Sequence, residues 1–210
     1  MKIYPLLAFT VCIAVNSISA ADEAELGVFH QWTDIGSPGV VGSAFYKASE
    51  NAYYLKASGE NIWGETDSFG FLWAPMEGDF SMDGIVTIID LTDAPHRKAG
   101  WMIRSSLDPD AAHVTCAVHG DGLVAFQYRP TAGAATVGIR FDMKAAEEIR
   151  LTKQGNNFTM VVGKQGANSE SKTLELDGFE GALFAGPWVC SKNVEKLEAA
   201  RFGQVSILVP

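Results

Sequence analysis

The chain is built almost entirely from short runs of β-forming residues separated by turn residues. About a dozen runs follow one another, with Gly, Asp, Asn, Ser and Pro between them. A long apolar repeat of 3.6 residues is missing, and the best helical candidate, Asn193 to Ala200, could equally be a loop. The pattern therefore predicts an all-β fold, a two-sheet antiparallel sandwich of jelly-roll type. The predicted strands are 44–48, 51–57, 68–74, 80–90, 98–105, 112–118, 122–129, 135–141, 147–153, 157–163, 171–176, 182–190 and 200–208.

The first twenty residues have the composition of a secretory signal peptide. Lys2 precedes an apolar run from Ile3 to Val15, and small residues follow, so we expect cleavage after Ala20 or Ala21. The apolar run is too short for a spanning helix of about 20 residues. Residues 21–210 are then one domain, exported to the periplasm or secreted, without a transmembrane segment after cleavage. An uncleaved N-terminal anchor is the alternative.

The charge balance of the chain argues against two kinds of polyanionic partner. The formal net charge is −9, and it becomes −10 when Lys2 leaves with the signal peptide, with 15 basic against 25 acidic residues. Basic clusters do not interrupt this acidic background, so nucleic acid and anionic membranes are not expected as partners.

Two cysteines remain in the mature chain, Cys116 and Cys190. An oxidising compartment would permit one disulfide between them. Both lie in strongly apolar runs, which favours two buried thiols instead.

The alternation between 98 and 129 places apolar and polar side chains on opposite sheet faces. If the three strands form a meander, one face is apolar and packs in the core. The other face collects Lys98, Arg104, His113, Thr115, Gln127 and Arg129. This polar face is either a ligand-binding groove or an ordinary solvated outer face, and alternation alone does not separate the two.

Several stretches in order resemble a known bacterial family. They are SGENIWGETDSFGFLW, KAGWMIRSSLDP, GLVAFQYR and the late WVCSKN. Together they resemble a concanavalin A-like, LamG-like jelly-roll family of unassigned function, over residues 40–208. The family also occurs as an extracytoplasmic domain beside TolB-like propeller repeats. The resemblance implies the sandwich fold and an envelope location, but fold does not imply function.

Two residues of the SGENIWGETD stretch, Trp63 and Asp67, have two interpretations. Trp63 could stack on a sugar ring while Asp67 binds hydroxyl groups or a cation. Alternatively, Trp63 plugs one end of the sandwich and Asp67 caps a turn, which the tight Ile-Trp-Gly core favours. Downstream, His96, Arg97 and Lys98 form a basic spot that could meet an anionic glycan or be ordinary loop surface.

The sequence supports no cofactor. The four histidines lack metal-binding spacing and Cys-x-x-Cys is absent, so zinc is unsupported. Calcium has candidate ligands in Asp108, Asp110 and Asp121, but no EF-hand pattern. A nucleophile elbow and a phosphate loop are both absent.

The hexapeptide ELDGFE at 175–180 matches the E-x-D-x-x-E spacing of some concanavalin A-like glycoside hydrolases. Catalysis would require Glu175 and Glu180 to face one cleft. However, Asp177-Gly178 between two β runs is a turn signal, which predicts a hairpin and separates the two carboxylates.

The leading hypothesis is a non-catalytic module that binds a carbohydrate or a cell-envelope glycan. Its candidate binding residues are Trp63, Asp67, Lys98, Arg104, His113, Gln127 and Arg129. One alternative is an envelope protein-interaction or accessory domain of the TolB-associated type. The other is a glycoside hydrolase using Glu175 and Glu180.

Overall fold

The computed structural model describes residues 26–89, 91–166 and 168–209, and in these residues fifteen strands form two antiparallel sheets. The eight-stranded sheet contains β1 (Gln31–Ile35), β4 (Asn61–Trp63), β5 (Thr66–Met76), β7 (Lys98–Arg104), β8 (His113–His119), β9 (Val124–Arg129), β10 (Val137–Arg140) and β14 (Leu183–Cys190). The seven-stranded sheet contains β2 (Ser43–Lys47), β3 (Ala52–Gly59), β6 (Phe80–Ile88), β11 (Glu148–Gln154), β12 (Asn157–Gly163), β13 (Glu170–Glu175) and β15 (Asn193–Leu208). One short 3₁₀ helix, Ala48–Glu50, joins β2 to β3.

The strand order shows a jelly-roll sandwich, as predicted. The eight-stranded sheet runs β1-β5-β14-β7-β8-β9-β10, with β4 paired to the start of β5. The seven-stranded sheet runs β13-β12-β11-β6-β15-β3-β2. The predicted meander is confirmed, because β7, β8 and β9 are consecutive antiparallel neighbours.

The main core fills the space between the two sheets. Trp101 of β7 crosses this space: its ring lies 5.2 Å from that of Phe202 on β15, and its indole N–H donates to the carbonyl of Ile149 at 3.2 Å. The predicted apolar side chains of the meander, including Val114 and Phe126, belong to the same buried cluster. The alternation therefore assigned the core face of these strands correctly.

The opposite face of the eight-stranded sheet carries a second apolar cluster, and the β4–β5 hairpin covers it. Ile62 of β4 packs there with Met102, Ala117, Trp188 and Cys190. The first residues of β5 pair with β4, whereas the later residues pair with β1 and β14. The chain thus folds a hairpin tip over the sheet face that the sequence predicted to be polar.

Three sequence predictions about local structure are wrong or incomplete. Residues Asn193 to Ala200 are not helical but open β15, which pairs with β3 through a register shift between Asn193 and Glu198. The strands β1 and β4 were not predicted, since β1 is only partly buried and β4 is three residues long. The predicted strand 80–90 ends at Ile88, and Asp90 lies outside the described residues.

Cys116 and Cys190 are both free thiols. Cys116 is buried in the core between the sheets, and Cys190 is buried in the cluster on the opposite face. They lie on opposite faces of the eight-stranded sheet, which explains why the two apolar runs do not join in a disulfide. The predicted signal peptide lies outside the described residues, and in the part of the chain that is described none of the helices is long and apolar enough to cross a membrane.

Candidate functional site

The polar face of the meander has one closed end. Backbone pairing sets Arg104 of β7 opposite His113 of β8, and His113 opposite Arg129 of β9, so the three side chains form one row. All three are fully buried, and Asp67 from the start of β5 lies against them. Arg104 donates to Asp67 Oδ2 at 2.7 Å, and Arg129 donates to Oδ2 at 2.9 Å and to Oδ1 at 2.7 Å.

The other guanidinium N–H groups of Arg104 and Arg129 donate hydrogen bonds to carbonyl groups of the surrounding loops. Arg104 donates to the carbonyl of Asp108 at 2.6 Å, and Arg129 donates to those of Gly64, Ala111 and Ala134. Because a buried charge is stable only when it is paired and hydrogen-bonded, these contacts account for the burial of two arginines. The Asp67 cluster (Asp67, Arg104, His113 and Arg129) therefore holds the β4–β5 hairpin onto the sheet.

The protonation states of the cluster follow from burial and from the ion pairs. Burial alone would raise the pKa of the Asp67 carboxyl, but the hydrogen bonds from Arg129 and the charge of Arg104 outweigh it and lower the pKa. Burial lowers the pKa of His113 to about 3, although Asp67 partly opposes the shift. The imidazole is therefore neutral at pH 7, and its Nδ1 lies 3.6 Å from Asp67 Oδ2.

The other end of the polar face is open and forms a pocket of about 230 Å³. We call it the Trp63 pocket. Its lining residues come from β4, β7, β8, β9, β10 and three loops. They are Asn61, Trp63, His96, Lys98, His119, Leu123, Gln127, Arg140 and Lys192.

Trp63 is the aromatic wall of this pocket and is 50 % exposed. Its ring lies over Gly138 of β10, where a Cβ would come within 3.2 Å of the ring carbons. Gly138 pairs with Gln127 of β9, so the indole lies beside Gln127. Trp63 does not plug an end of the sandwich, which corrects that interpretation, and the buried neighbour Ile62 does the structural packing instead.

Gln127 lines the pocket from the sheet floor. The residue is only 4 % exposed, and its Oε1 makes no hydrogen bond with any residue that the structure describes. A buried amide oxygen without a partner costs about 1–3 kcal/mol. The oxygen is itself buried, so it is an unpaired acceptor beside the pocket that a hydroxyl group reaches only when the amide rotates toward the pocket.

Lys98 and His119 lie together at one end of the pocket, on paired positions of β7 and β8. Burial is the largest cause that lowers the pKa of Lys98, to about 8, and the charge of nearby Lys192 lowers it further. Burial likewise lowers the pKa of His119 to about 4. His119 Nδ1 lies 3.1 Å from the carbonyl of Leu123, which makes it the protonated nitrogen of a neutral imidazole and leaves Nε2 as an acceptor.

The loop before β7 brings His96 to the pocket rim. Its backbone docks on the β8–β9 turn through hydrogen bonds from Gly120 to Arg97 and from Asp121 to Pro95, both 2.9 Å. Buried Glu198 anchors the loop by accepting from the amides of residues 91 and 92. The ring of His96 lies 6.0 Å from that of His119, and Arg97 pairs with Glu198 at 3.3 Å.

A second pocket, of about 480 Å³, lies on the other side of β4. It shares Asn61, Trp63 and Lys192 with the first pocket, so Trp63 stands between the two. Glu60, Thr66 and Ser68 are among the polar groups of its wall, and buried Asp67 reaches this wall as well. The two pockets therefore adjoin at the β4–β5 hairpin.

The seven predicted binding residues thus divide into two groups. Trp63, Lys98 and Gln127 line the Trp63 pocket. The others, Asp67, Arg104, His113 and Arg129, form the closed cluster, so Asp67 does not cap a turn. Sequence reasoning did not assign five of the lining residues to the site: Asn61, His119, Leu123, Arg140 and Lys192. Extending the alternation to β10 would have found Arg140, since it shares a sheet face with Gly138.

The ELDGFE segment lies away from both pockets. Glu175 ends β13, an edge strand of the seven-stranded sheet, whereas β14 begins at Leu183 in the other sheet. The predicted hairpin is therefore wrong: the segment crosses between the sheets, and buried Phe179 anchors it in the core. Glu175 and Glu180 line neither pocket.

Among the residues that the structure describes, potential metal ligands do not come together. Within residues 26–89, 91–166 and 168–209, there is no group of three His, Cys, Asp or Glu side chains that could hold a metal ion. Of the calcium candidates, Asp108 bonds Ser106, while Asp121 pairs with His96 at 3.5 Å and accepts from the amide of Leu123.

Comparisons with known proteins identify the fold. No model of a known protein family matches this chain, and no curated protein matches it. Several solved structures are similar to most of this chain. A functionally unknown protein from Saccharomyces cerevisiae is 18 % identical, with a TM-score of 0.65, over 89 % of this chain and 98 % of that one.

Two further solved structures are proteins named for carbohydrate ligands or substrates. The alginate lyase from Klebsiella pneumoniae is 12 % identical, with a TM-score of 0.55, over 80 % of this chain and 84 % of the lyase. A basic winged bean lectin, solved with Tn-antigen, is 9 % identical, with a TM-score of 0.52, over 85 % and 95 %. These likenesses establish a concanavalin A-like jelly-roll fold.

Proposed function

We propose that this protein is a non-catalytic carbohydrate-binding module and that the Trp63 pocket is its binding site. The observation that carries the proposal is the meeting of half-exposed Trp63 with the unpartnered amide oxygen of buried Gln127 in one pocket. A flat aromatic ring and a fixed polar group are the two elements by which a concave site orients a small polar ligand. The glycan-related names of two proteins with this fold are consistent with the proposal.

Each pocket residue has a defined part in the proposed complex. One sugar ring stacks on Trp63, and a ring hydroxyl donates to Gln127 Oε1 once the amide, whose oxygen is buried in the free protein, rotates toward the pocket. Asn61 and the His119 Nε2 supply further hydrogen-bonding groups at the pocket wall. At about 230 Å³ the pocket lies below the roughly 300–1,000 Å³ of drug-sized ligand sites, which suits a single ring. The neighbouring 480 Å³ pocket then receives the next sugar of a chain.

The Asp67 cluster contributes to binding only by positioning the residues that contact the glycan. Arg104, His113 and Arg129 are fully buried, so in this proposal they do not touch the glycan. They hold the hairpin that carries Trp63 and Asn61 against β9 and β10. Their role is to fix the aromatic wall at its distance from Gln127.

We extend the proposal to location and relatives on sequence grounds. The signal-peptide pattern of residues 1–20 supports export, to the periplasm or beyond. The resemblance to the bacterial sandwich family found beside TolB-like repeats supports a place in the cell envelope. In that setting the ligand is an envelope or extracellular polysaccharide.

The test is a glycan array followed by NMR titration of the bound glycan, with Trp63→Ala and a matched control. Phe45→Ala is that control, because Phe45 is also 50 % exposed but lies on β2 of the other sheet. We expect Trp63→Ala to remove binding and Phe45→Ala to retain it. Equal binding by the two variants would show that the Trp63 pocket is not the site.

The same preparations separate the alternative functions. A stable partner protein that co-purifies, together with an array on which no glycan binds, would favour the envelope accessory role. Release of oligosaccharide products that stops in Glu175→Gln would favour the hydrolase. Neither carboxylate lies beside the Trp63 pocket, so we expect no such product.

A further inference from the structure

The Trp63 pocket is cationic on an acidic protein. Lys98, Arg140 and Lys192 line it together with His96 and His119, and the lining contains no carboxylate. The whole chain, by contrast, has a formal net charge of −9. At the rim, the carboxylate of Asp121 pairs with His96, and buried Asp67 is already shared by Arg104 and Arg129. Cations concentrated in a concave site focus a positive potential on whatever enters.

Lys98 is the central group of this arrangement. It is 3 % exposed, and its ammonium donates one hydrogen bond, to the carbonyl of Ile62 at 3.2 Å. It makes no ion pair with any residue that the structure describes, whereas the buried Arg104 and Arg129 on the same sheet face share Asp67. An ammonium has three donors, so Lys98 has donors to spare for a ligand.

A buried cation without a counter-charge is costly, and an anionic ligand removes that cost. The lowered pKa of Lys98 reflects the same imbalance, since burial disfavours the charged form and nothing nearby fully compensates. Lys192 and Arg140 stand at the pocket wall and add to the attraction. The electrostatics of the site therefore favour a negatively charged ligand over a neutral one.

We propose that the Trp63 pocket selects acidic glycans, with Lys98 binding the carboxylate of a hexuronate whose ring stacks on Trp63. This inference rests on the proposed carbohydrate-binding function and adds the substrate class. A carboxylate is joined directly to the ring carbon, whereas a sulfate ester adds a bridging oxygen and a third terminal oxygen. The small volume of the pocket favours the more compact group.

The experiment compares matched ligands by isothermal titration calorimetry. The probes are oligomannuronate, oligoguluronate and oligogalacturonate, each beside its own carboxyl-reduced neutral counterpart, with a sulfated galactan oligosaccharide as a further arm. We expect at least one uronate to bind about ten- to hundred-fold more tightly than its reduced form, the range for a hydrogen bond to a charged group. The preference should shrink as salt rises.

Variants assign the selectivity to Lys98. Lys98→Met keeps an unbranched side chain, one atom shorter, and removes the charge, and we expect it to erase the preference for the uronate over its reduced form. Lys164→Met is the matched control, since Lys164 is exposed and follows β12 in the other sheet. If Lys98→Met fails to fold, Arg140→Gln tests the same electrostatic attraction for the uronate, because Arg140 lies at an exposed position of the pocket. It should reduce the preference several-fold.

The outcomes separate this inference from the proposed function. If a reduced oligosaccharide binds as tightly as its uronate, acid selectivity is wrong and the carbohydrate site stands. If the sulfated oligosaccharide binds more tightly than every uronate, the carboxylate assignment is wrong. If no uronate binds, the inference falls, and the glycan array with Trp63→Ala decides the proposed function by itself.

Discussion

Replacing Asp67 with asparagine should destabilise the domain more than any change at an exposed ion pair. The carboxylate accepts three hydrogen bonds of 2.7–2.9 Å from two fully buried guanidinium groups. Asparagine keeps the shape but removes the charge and turns an N–H₂ donor toward one arginine. Arg104 and Arg129 then stay buried without a counter-ion, whereas the loop carbonyls that they also bond are unchanged.

The expected loss follows from the energetics of buried ion pairs. Removing one partner of such a pair costs about 3–5 kcal/mol, and here two cations lose the same partner. Domains of this kind are stable by about 5–15 kcal/mol in all. At a urea dependence of about 2 kcal/mol/M, a loss of about 4 kcal/mol moves the unfolding midpoint by about 2 M. The thermal midpoint should fall by roughly 10 °C.

The control is Asp83→Asn, which makes the same chemical change at an exposed pair. Asp83 accepts from Arg150 at 2.7 Å, but the side chains are 33 % and 53 % exposed. An exposed pair of this type contributes about 0–1 kcal/mol. Urea unfolding followed by tryptophan fluorescence measures both variants. Equal midpoints for Asp67→Asn and Asp83→Asn would refute the argument and show that water reaches the cluster.

Three further predictions concern pH, thiol chemistry and the aromatic wall. The pKa values of His113 and His119 are lowered to about 3 and about 4, chiefly by burial, so below about pH 6.5 the unfolded chain binds protons that the folded chain does not. The free energy of unfolding should therefore fall as the pH drops from 6.5 toward 4, by up to about 1.4 kcal/mol per pH unit for each histidine. Urea midpoints measured across this pH range would contradict the prediction if they did not change. Burial raises the pKa of Cys116 to about 12 and also raises the pKa of Cys190. A maleimide should therefore label neither thiol in the native protein and both thiols in urea. Peptide mass mapping measures the labelling. Gly138→Val should displace the Trp63 ring and weaken glycan binding several-fold while the urea midpoint stays unchanged, and undiminished affinity would contradict the contact.

The strands and the two faces of the meander were predictable because both depend on local pattern. Alternation with period two assigned Trp101, Val114 and Phe126 to the core, and the structure confirms all three. Turn residues marked most strand boundaries. The same local pattern misassigned Asn193 to Ala200, since the pairing of β15 with β3 overrode a weak helical signal.

Contacts between residues that are distant in the sequence decide which part of the polar face is closed and which part is open. Asp67 lies 62 residues from Arg129 along the chain, and Gly64 lies 72 residues from Thr136, yet these contacts fold the β4–β5 hairpin over one end of the face. No periodicity within 98–129 contains that information. The ELDGFE segment shows the same limit, because its turn was predicted but its crossing between sheets was not.

The amino-acid order by itself thus determined a β-sandwich with an apolar and a polar side to its central strands. Only the tertiary structure decided that Arg104, His113 and Arg129 are buried structural groups while Lys98 and Gln127 reach a pocket beside Trp63. The physical reason is that alternation fixes the direction of a side chain relative to its own sheet. Whether water, a ligand or another part of the chain meets that side chain depends on a hairpin contributed from elsewhere in the sequence.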